Sequence, residues 1–191
     1  MANYAYLRLW FRDFAIEKGL THLEALLGLF PVSAARPGFR LVVRSLDPGQ
    51  SPSLEADLLA TPGDVRTAAS EFPHEDTAYE VTAYWDLWKL RVEKDWEQAP
   101  SPAEFLLHGE QFDAGRYREA GHLQVNLGPE HLYLSPADHP QDLSFRYTRE
   151  NVRRLYAFLR ALEQQLPLAQ RRLWSEGEPD FGPRIEQILS L

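Results

Sequence analysis

Histidine beside carboxylate is the combination in this sequence best able to do chemistry. Four of the six histidines, His108, His122, His131 and His139, share a stretch with Glu110, Asp113 and Asp138. Imidazole and carboxylate together can hold zinc or iron without any cysteine, and the same pair can move a proton. That density defines one reading: a small metal-dependent or acid–base hydrolase using His, Asp and Glu of residues 108–139. On a strand His108 and Glu110 share a face. His122 and His131 lie on opposite sides of Gly128-Pro129-Glu130 and converge only in a favourable register. Their spacing matches no known ligand set, so no cofactor and no stoichiometric metal are expected. His74-Glu75-Asp76 is a second acid–base grouping, at a helix-to-strand handover, with no nucleophile or oxyanion hole beside it.

Arg149, Arg153, Arg154 and Arg160 recur along one helical segment and could form an anion-binding stripe with Arg146, but Glu150 and Glu163 are interspersed, which favours a solvated charged face. There is no phosphate-binding glycine loop, no GxSxG elbow, no HExxH and no EF-hand spacing.

Aromatic residues form the other constellation. Tyr4 to Phe14 alternates as a strand, with Tyr4, Tyr6, Arg8 and Trp10 on one side, and Tyr79 to Leu90 alternates with Tyr84, Asp86 and Trp88 on one side. Were these strands antiparallel neighbours, Arg8 opposite Asp86 would set Tyr6 against Trp88 and Trp10 against Tyr84. Tyr6, Arg8, Trp10, Tyr84, Asp86 and Trp88 are therefore the candidate binding residues. Such a face needs a cover: the second half of the chain, a second copy, or a partner.

The elements that would position them come next. Thr21-His22-Leu23-Glu24 matches a capping box opening a short helix that Pro31 ends. Phe39–Arg44 and Leu54–Leu58 read as strands around the Asp47-Pro48-Gly49 turn, and Thr61-Pro62-Gly63-Asp64 opens a second helix. The order strand, helix, strand, strand, helix, strand over residues 1–92 is that of a ferredoxin-like arrangement, a mixed, mostly antiparallel sheet with helices on one face. Residues 93–102, broken by Pro100 and Pro102, read as a linker. Beyond it, Ala103–Phe112, His122–Leu127 and His131–Ser135 read as a β-meander whose last two strands form a hairpin, with Leu143–Tyr147 as a fourth strand. Thr148 would cap a long C-terminal helix running to Leu166, and residues 168–191 would form one or two short helices docked through Ile185, Ile188 and Leu189. The expected class is α+β, one globular domain over 1–191 with sub-halves 1–92 and 103–191.

Composition narrows the function. The chain has 191 residues, 44% hydrophobic and 25% charged, which suffices for a sizeable core. It has no cysteine, which excludes disulfides, thiol nucleophiles and Cys-based metal sites. No signal peptide and no apolar run of spanning length stand out, so the expected location is cytoplasmic. A net charge of −8 argues against nucleic acid and anionic membrane as partners. Arginine-rich, proline-rich usage points to a bacterial source. In composition alone, on no particular residues, the chain is similar to toxin-neutralising immunity proteins. The reading favoured over the hydrolase is a noncatalytic soluble binding or protein-interaction protein, partnered by a second copy or another protein; the sequence does not settle whether it is an enzyme.

Overall fold

One uninterrupted antiparallel sheet organises the chain. The computed structural model describes residues 2–45, 51–72, 76–91, 95–134 and 142–190. Its seven strands are β1 (Tyr4–Phe11), β2 (Phe39–Arg44), β3 (Leu54–Leu59), β4 (Ala78–Leu90), β5 (Trp96–His108), β6 (Leu123–Pro129) and β7 (Leu168–Ser175), in the spatial order β3-β2-β4-β5-β6-β1-β7. The helices are α1 (Ile16–Leu29), α2 (Pro62–Ser70), the four-residue α3 (Tyr117–Ala120), the long α4 (Leu143–Gln165) and α5 (Phe181–Ser190). The class is α+β. Among the described residues no helix is long and apolar enough to cross a membrane.

Period-two alternation gives the sheet one greasy face. Ala5, Leu7, Leu9 and Phe11 of β1, Tyr79, Val81, Ala83, Trp85 and Leu87 of β4, and Leu123, Val125 and Leu127 of β6 are all buried. They share one core with Leu23, Leu26 and Leu27 of α1, Val152, Leu155, Leu159 and Leu162 of α4, and Phe181 and Ile185 of α5. On the opposite face most of the alternate residues of β1, β4 and β6 are half-buried or exposed.

Residues 1–92 keep the expected element order, but β1 and β4 are not neighbours. β5 and β6 lie between them, so the ferredoxin-like adjacency is not formed. The physical reason is the length of β5: all thirteen of its residues pair with β4, from Ala78↔His108 to Leu90↔Trp96, and this claims the edge expected for β1. The segment expected as a linker is therefore mostly strand. β1 instead closes the sheet between β6 and β7.

Four further expectations change. α1 begins at Ala15, which makes no side-chain cap, and Thr21 lies in mid-helix. Residues 130–132 form a 3-10 turn rather than a hairpin strand, and Leu143–Tyr147 are the first turn of α4, capped by Asp142 through Ser144 N–H at 2.8 Å. Residues 168–175 are strand, held by β1. Thr61 caps α2 as expected, reciprocally with Asp64.

Candidate functional site

Cross-strand register assembles the open face row by row. One row of paired residues runs Arg40, Thr82, Glu104, Asn126, Tyr6 and Trp174 across six strands. The next carries Val42, Glu80, Leu106, Gln124, Arg8 and Arg172. Arg8 is thus level with Glu80. Asp86 is six residues further along β4 and three strands away, about 20 Å along and 14 Å across at ordinary strand spacings. The expected Arg8–Asp86, Tyr6–Trp88 and Trp10–Tyr84 pairs do not form, although all six residues lie on this face.

Each finds a local partner instead. Tyr6 stacks on Trp174 with centroids 4.7 Å apart and donates its hydroxyl to Glu176 at 3.0 Å. Burial, reinforced by that carboxylate, pushes the Tyr6 phenol up to about 12. The Arg8 guanidinium lies over the Trp174 ring at 4.8 Å and donates to Gln124 Oε1 at 3.3 Å. Trp10 Nε1 donates to the Arg118 carbonyl at 3.1 Å. On the other flank Arg36 covers Tyr84 at 3.6 Å, Asp86 accepts from Ser33 Oγ at 2.6 Å, and Trp88 packs on Tyr147 at 4.3 Å.

Between the flanks the ladder opens, and two prolines are the cause. His108 N–H donates to the His122 carbonyl at 3.2 Å while Gly109 N–H donates to Thr77 at 2.9 Å. Even-numbered residues of β5 therefore aim their backbone groups at β6, odd-numbered ones at β4. Pro100 and Pro102 are even: their missing N–H groups fall on the β6 side and cost the β4 ladder nothing. β6 pairs with β5 only at residues 104–107, then leaves through Gly128 at φ 91°.

The resulting notch is a cleft of about 580 Å³ lined by Tyr4, Leu90, Trp96, Pro102, Glu104, Asn126, Leu132 and Leu134 among others. Lys89 also borders it, its amine held to the Pro100 carbonyl at 3.0 Å and its pKa lowered by burial. A second concavity of about 440 Å³ lies toward β3, lined by Arg36, Arg40, Leu58, Thr82 and Tyr84. The two share Pro102 and Glu104. Large exposed apolar side chains among the described residues are Tyr4 (37%), Leu58 (87%), Leu90 (55%) and Leu143 (58%). Three of these line the two concavities.

Among the described residues His108, His122 and His131 form no common site. His108 is buried, its Nδ1 3.4 Å from the Gly121 carbonyl, and burial lowers its pKa. His122 stacks on Phe14 at 4.0 Å and accepts Phe11 N–H on Nδ1 at 2.9 Å; burial pulls it down to about 4. It is therefore a neutral ring with its proton on Nε2. His131 is exposed past the far end of β6, about 20 Å away along the strand. His74, Glu75, Asp138 and His139 lie outside the described residues. Among the described residues no three His, Asp or Glu side chains are grouped to hold a metal.

Compared with protein-family models, with curated proteins and with solved structures, the chain matches none. The features that sequence reasoning missed are the notch and the Leu58 rim. The signal for the notch was present: two prolines spaced by two residues stand on the same edge of a strand.

Proposed function

We propose that this chain is a noncatalytic protein-interaction module whose open sheet face receives a second protein chain. One observation carries the reading: Tyr4, Leu58 and Leu90, three of the four large apolar side chains left most exposed among the described residues, all line two concavities that meet at Pro102 and Glu104. Scattered exposed apolar residues are ordinary, whereas a set converging on one continuous depression marks a contact surface. Half-buried Tyr84 lines that depression, Tyr6 is paired with its Asn126, and Trp10 and Trp88 lie further out on the same face; such residues supply rigid anchors at low entropic cost.

Two variants test it together. Leu58→Asp with Leu90→Asp places charge in both concavities without touching the core, and should abolish association, self or hetero, with no loss of unfolding midpoint. Trp88→Ala should cost about 2 kcal/mol of association. Sedimentation equilibrium reads self-association; capture from the source proteome followed by titration with the purified partner reads hetero-association. Retained association in the double aspartate variant sinks the proposal.

A further inference from the structure

Four of the five arginines of α4 line a single cleft. Arg40, Arg44, Arg66, Arg91, Arg116 and Arg184 each meet a carboxylate. Arg146, Arg149, Arg153 and Arg154 instead line one cleft of about 530 Å³ with Trp88, Gln98 and Tyr147. Its single carboxylate, Glu150, is bound to Arg153. The side chains of Arg146 and Arg154 have no hydrogen-bond or ion-pair partner among the described residues. Among the described residues Arg149 reaches the Leu189 carbonyl, at 3.5 Å, and its buried Nε–H meets no acceptor. A buried donor without a partner is uncommon, and a ligand oxygen would satisfy it.

We infer that this cleft binds a small molecule bearing two linked phosphates and a planar ring, a nucleoside diphosphate being the type. Four guanidiniums and one carboxylate leave a local charge of +3, which a diphosphate offsets and a single carboxylate does not. Arg146 to Arg153 spans about 10 Å of helix axis, longer than one oxyanion and suited to two. Guanidinium forks match phosphate oxygens in pairs. Trp88, backed by Tyr147, gives the ring a platform, and Gln98 beside it offers both a donor and an acceptor. The chain's net charge of −8 repels extended polyanions, so the ligand is compact rather than a nucleic acid. This inference does not rest on the open-face reading, and either can fail alone.

Calorimetric titration of the whole chain in phosphate-free buffer, at about 0.15 M salt, tests it with pyrophosphate, adenosine diphosphate, adenosine and citrate. Pyrophosphate should bind with Kd below about 1 mM and adenosine diphosphate several-fold tighter, through the ring on Trp88. Arg146→Gln with Arg154→Gln removes two side chains that hold nothing in the fold, and should weaken both ligands about tenfold or more at unchanged melting temperature. Trp88→Leu should erase the advantage of adenosine diphosphate over pyrophosphate. No heat from either phosphate at about 10 mM, citrate binding as tightly as pyrophosphate, or an unaffected double variant would each overturn the assignment.

Discussion

Asn151 does for Trp88 what a neighbouring strand does elsewhere in the sheet. Its Oδ1 accepts the Trp88 N–H at 2.8 Å and its Nδ2 donates to the Trp88 carbonyl at 2.9 Å, with a second donation to the Leu132 carbonyl at 2.9 Å. β2 pairs with β4 only as far as Thr82, so the last part of β4 would otherwise have backbone groups with no ladder on that side. A fully buried carboxamide on α4 fits that need, because it carries a donor and an acceptor at peptide-like spacing.

Removing it should therefore act on stability. Asn151→Ala leaves three backbone groups unpaired, at about 1–3 kcal/mol each if water stays out, so a loss of about 3 kcal/mol or more is expected in urea unfolding. Asn151→Asp should be at least as damaging, since it turns both donations into oxygen–oxygen repulsion.

His122 makes stability depend on pH with a definite sign. Its folded pKa of about 4 lies below its ordinary 6.5, so between those values the unfolded chain binds more protons. The contribution is complete above pH 6.5 and is lost as pH falls toward 4. Because the ring is half-buried, a discounted figure of about 1–2 kcal/mol applies. His22 and His108 are lowered by burial and act with the same sign. His122→Asn keeps an acceptor for Phe11 N–H without a titrating ring, and should flatten the pH dependence of the unfolding midpoint over that interval.

Restoring donors to the notch should expose the chain to pairing with itself. Pro100→Val with Pro102→Val puts two N–H groups back on the β6 side of β5, where no strand accepts them. A larger species in sedimentation velocity, growing with concentration, is expected. A variant that stays monomeric at every concentration shows that the prolines do not guard this edge.

Leu58 should show opposite effects on stability and binding. It sits at φ 59°, a left-handed conformation that costs an ordinary side chain about 1–2 kcal/mol and that asparagine tolerates better. Leu58→Asn should raise stability by about 0.5–1 kcal/mol while weakening association on the open face. A gain in stability with affinity unchanged would remove Leu58 from the contact surface.

What could be read from the sequence followed local chemistry. Alternation in Tyr4–Phe11 and Ala78–Leu90, and the Thr61-Pro62-Gly63-Asp64 start of α2, are decided by nearest neighbours and came out as expected. Leu168–Ser175 has no strict alternation; pairing with β1 makes it a strand, and no local signal carries that. Pro100 and Pro102 were read as breakers because a strand's free edge is not visible until its neighbours are known. The six aromatic and charged candidates were placed on one face by their parity, but the strands between them depend on β5 taking the edge of β4. The arginine cleft needed Trp88 and Gln98 brought beside α4, a juxtaposition that only the tertiary fold supplies.

The position of β1 has a consequence for synthesis. Tyr4 pairs with Pro129 and Ala5 with Ser175, so a strand made early waits for both of its neighbours. At ribosomal rates of about 5–20 residues per second, that delay is on the order of 10–30 s. Until β6 is made, Leu7, Leu9 and Phe11 have no sheet to enter, and one edge of β1 stays unpaired until β7 follows. A nascent chain stalled before Ser175 should bind a hydrophobic-segment chaperone through residues 4–11, and release should coincide with the appearance of β7 rather than with the completion of α4.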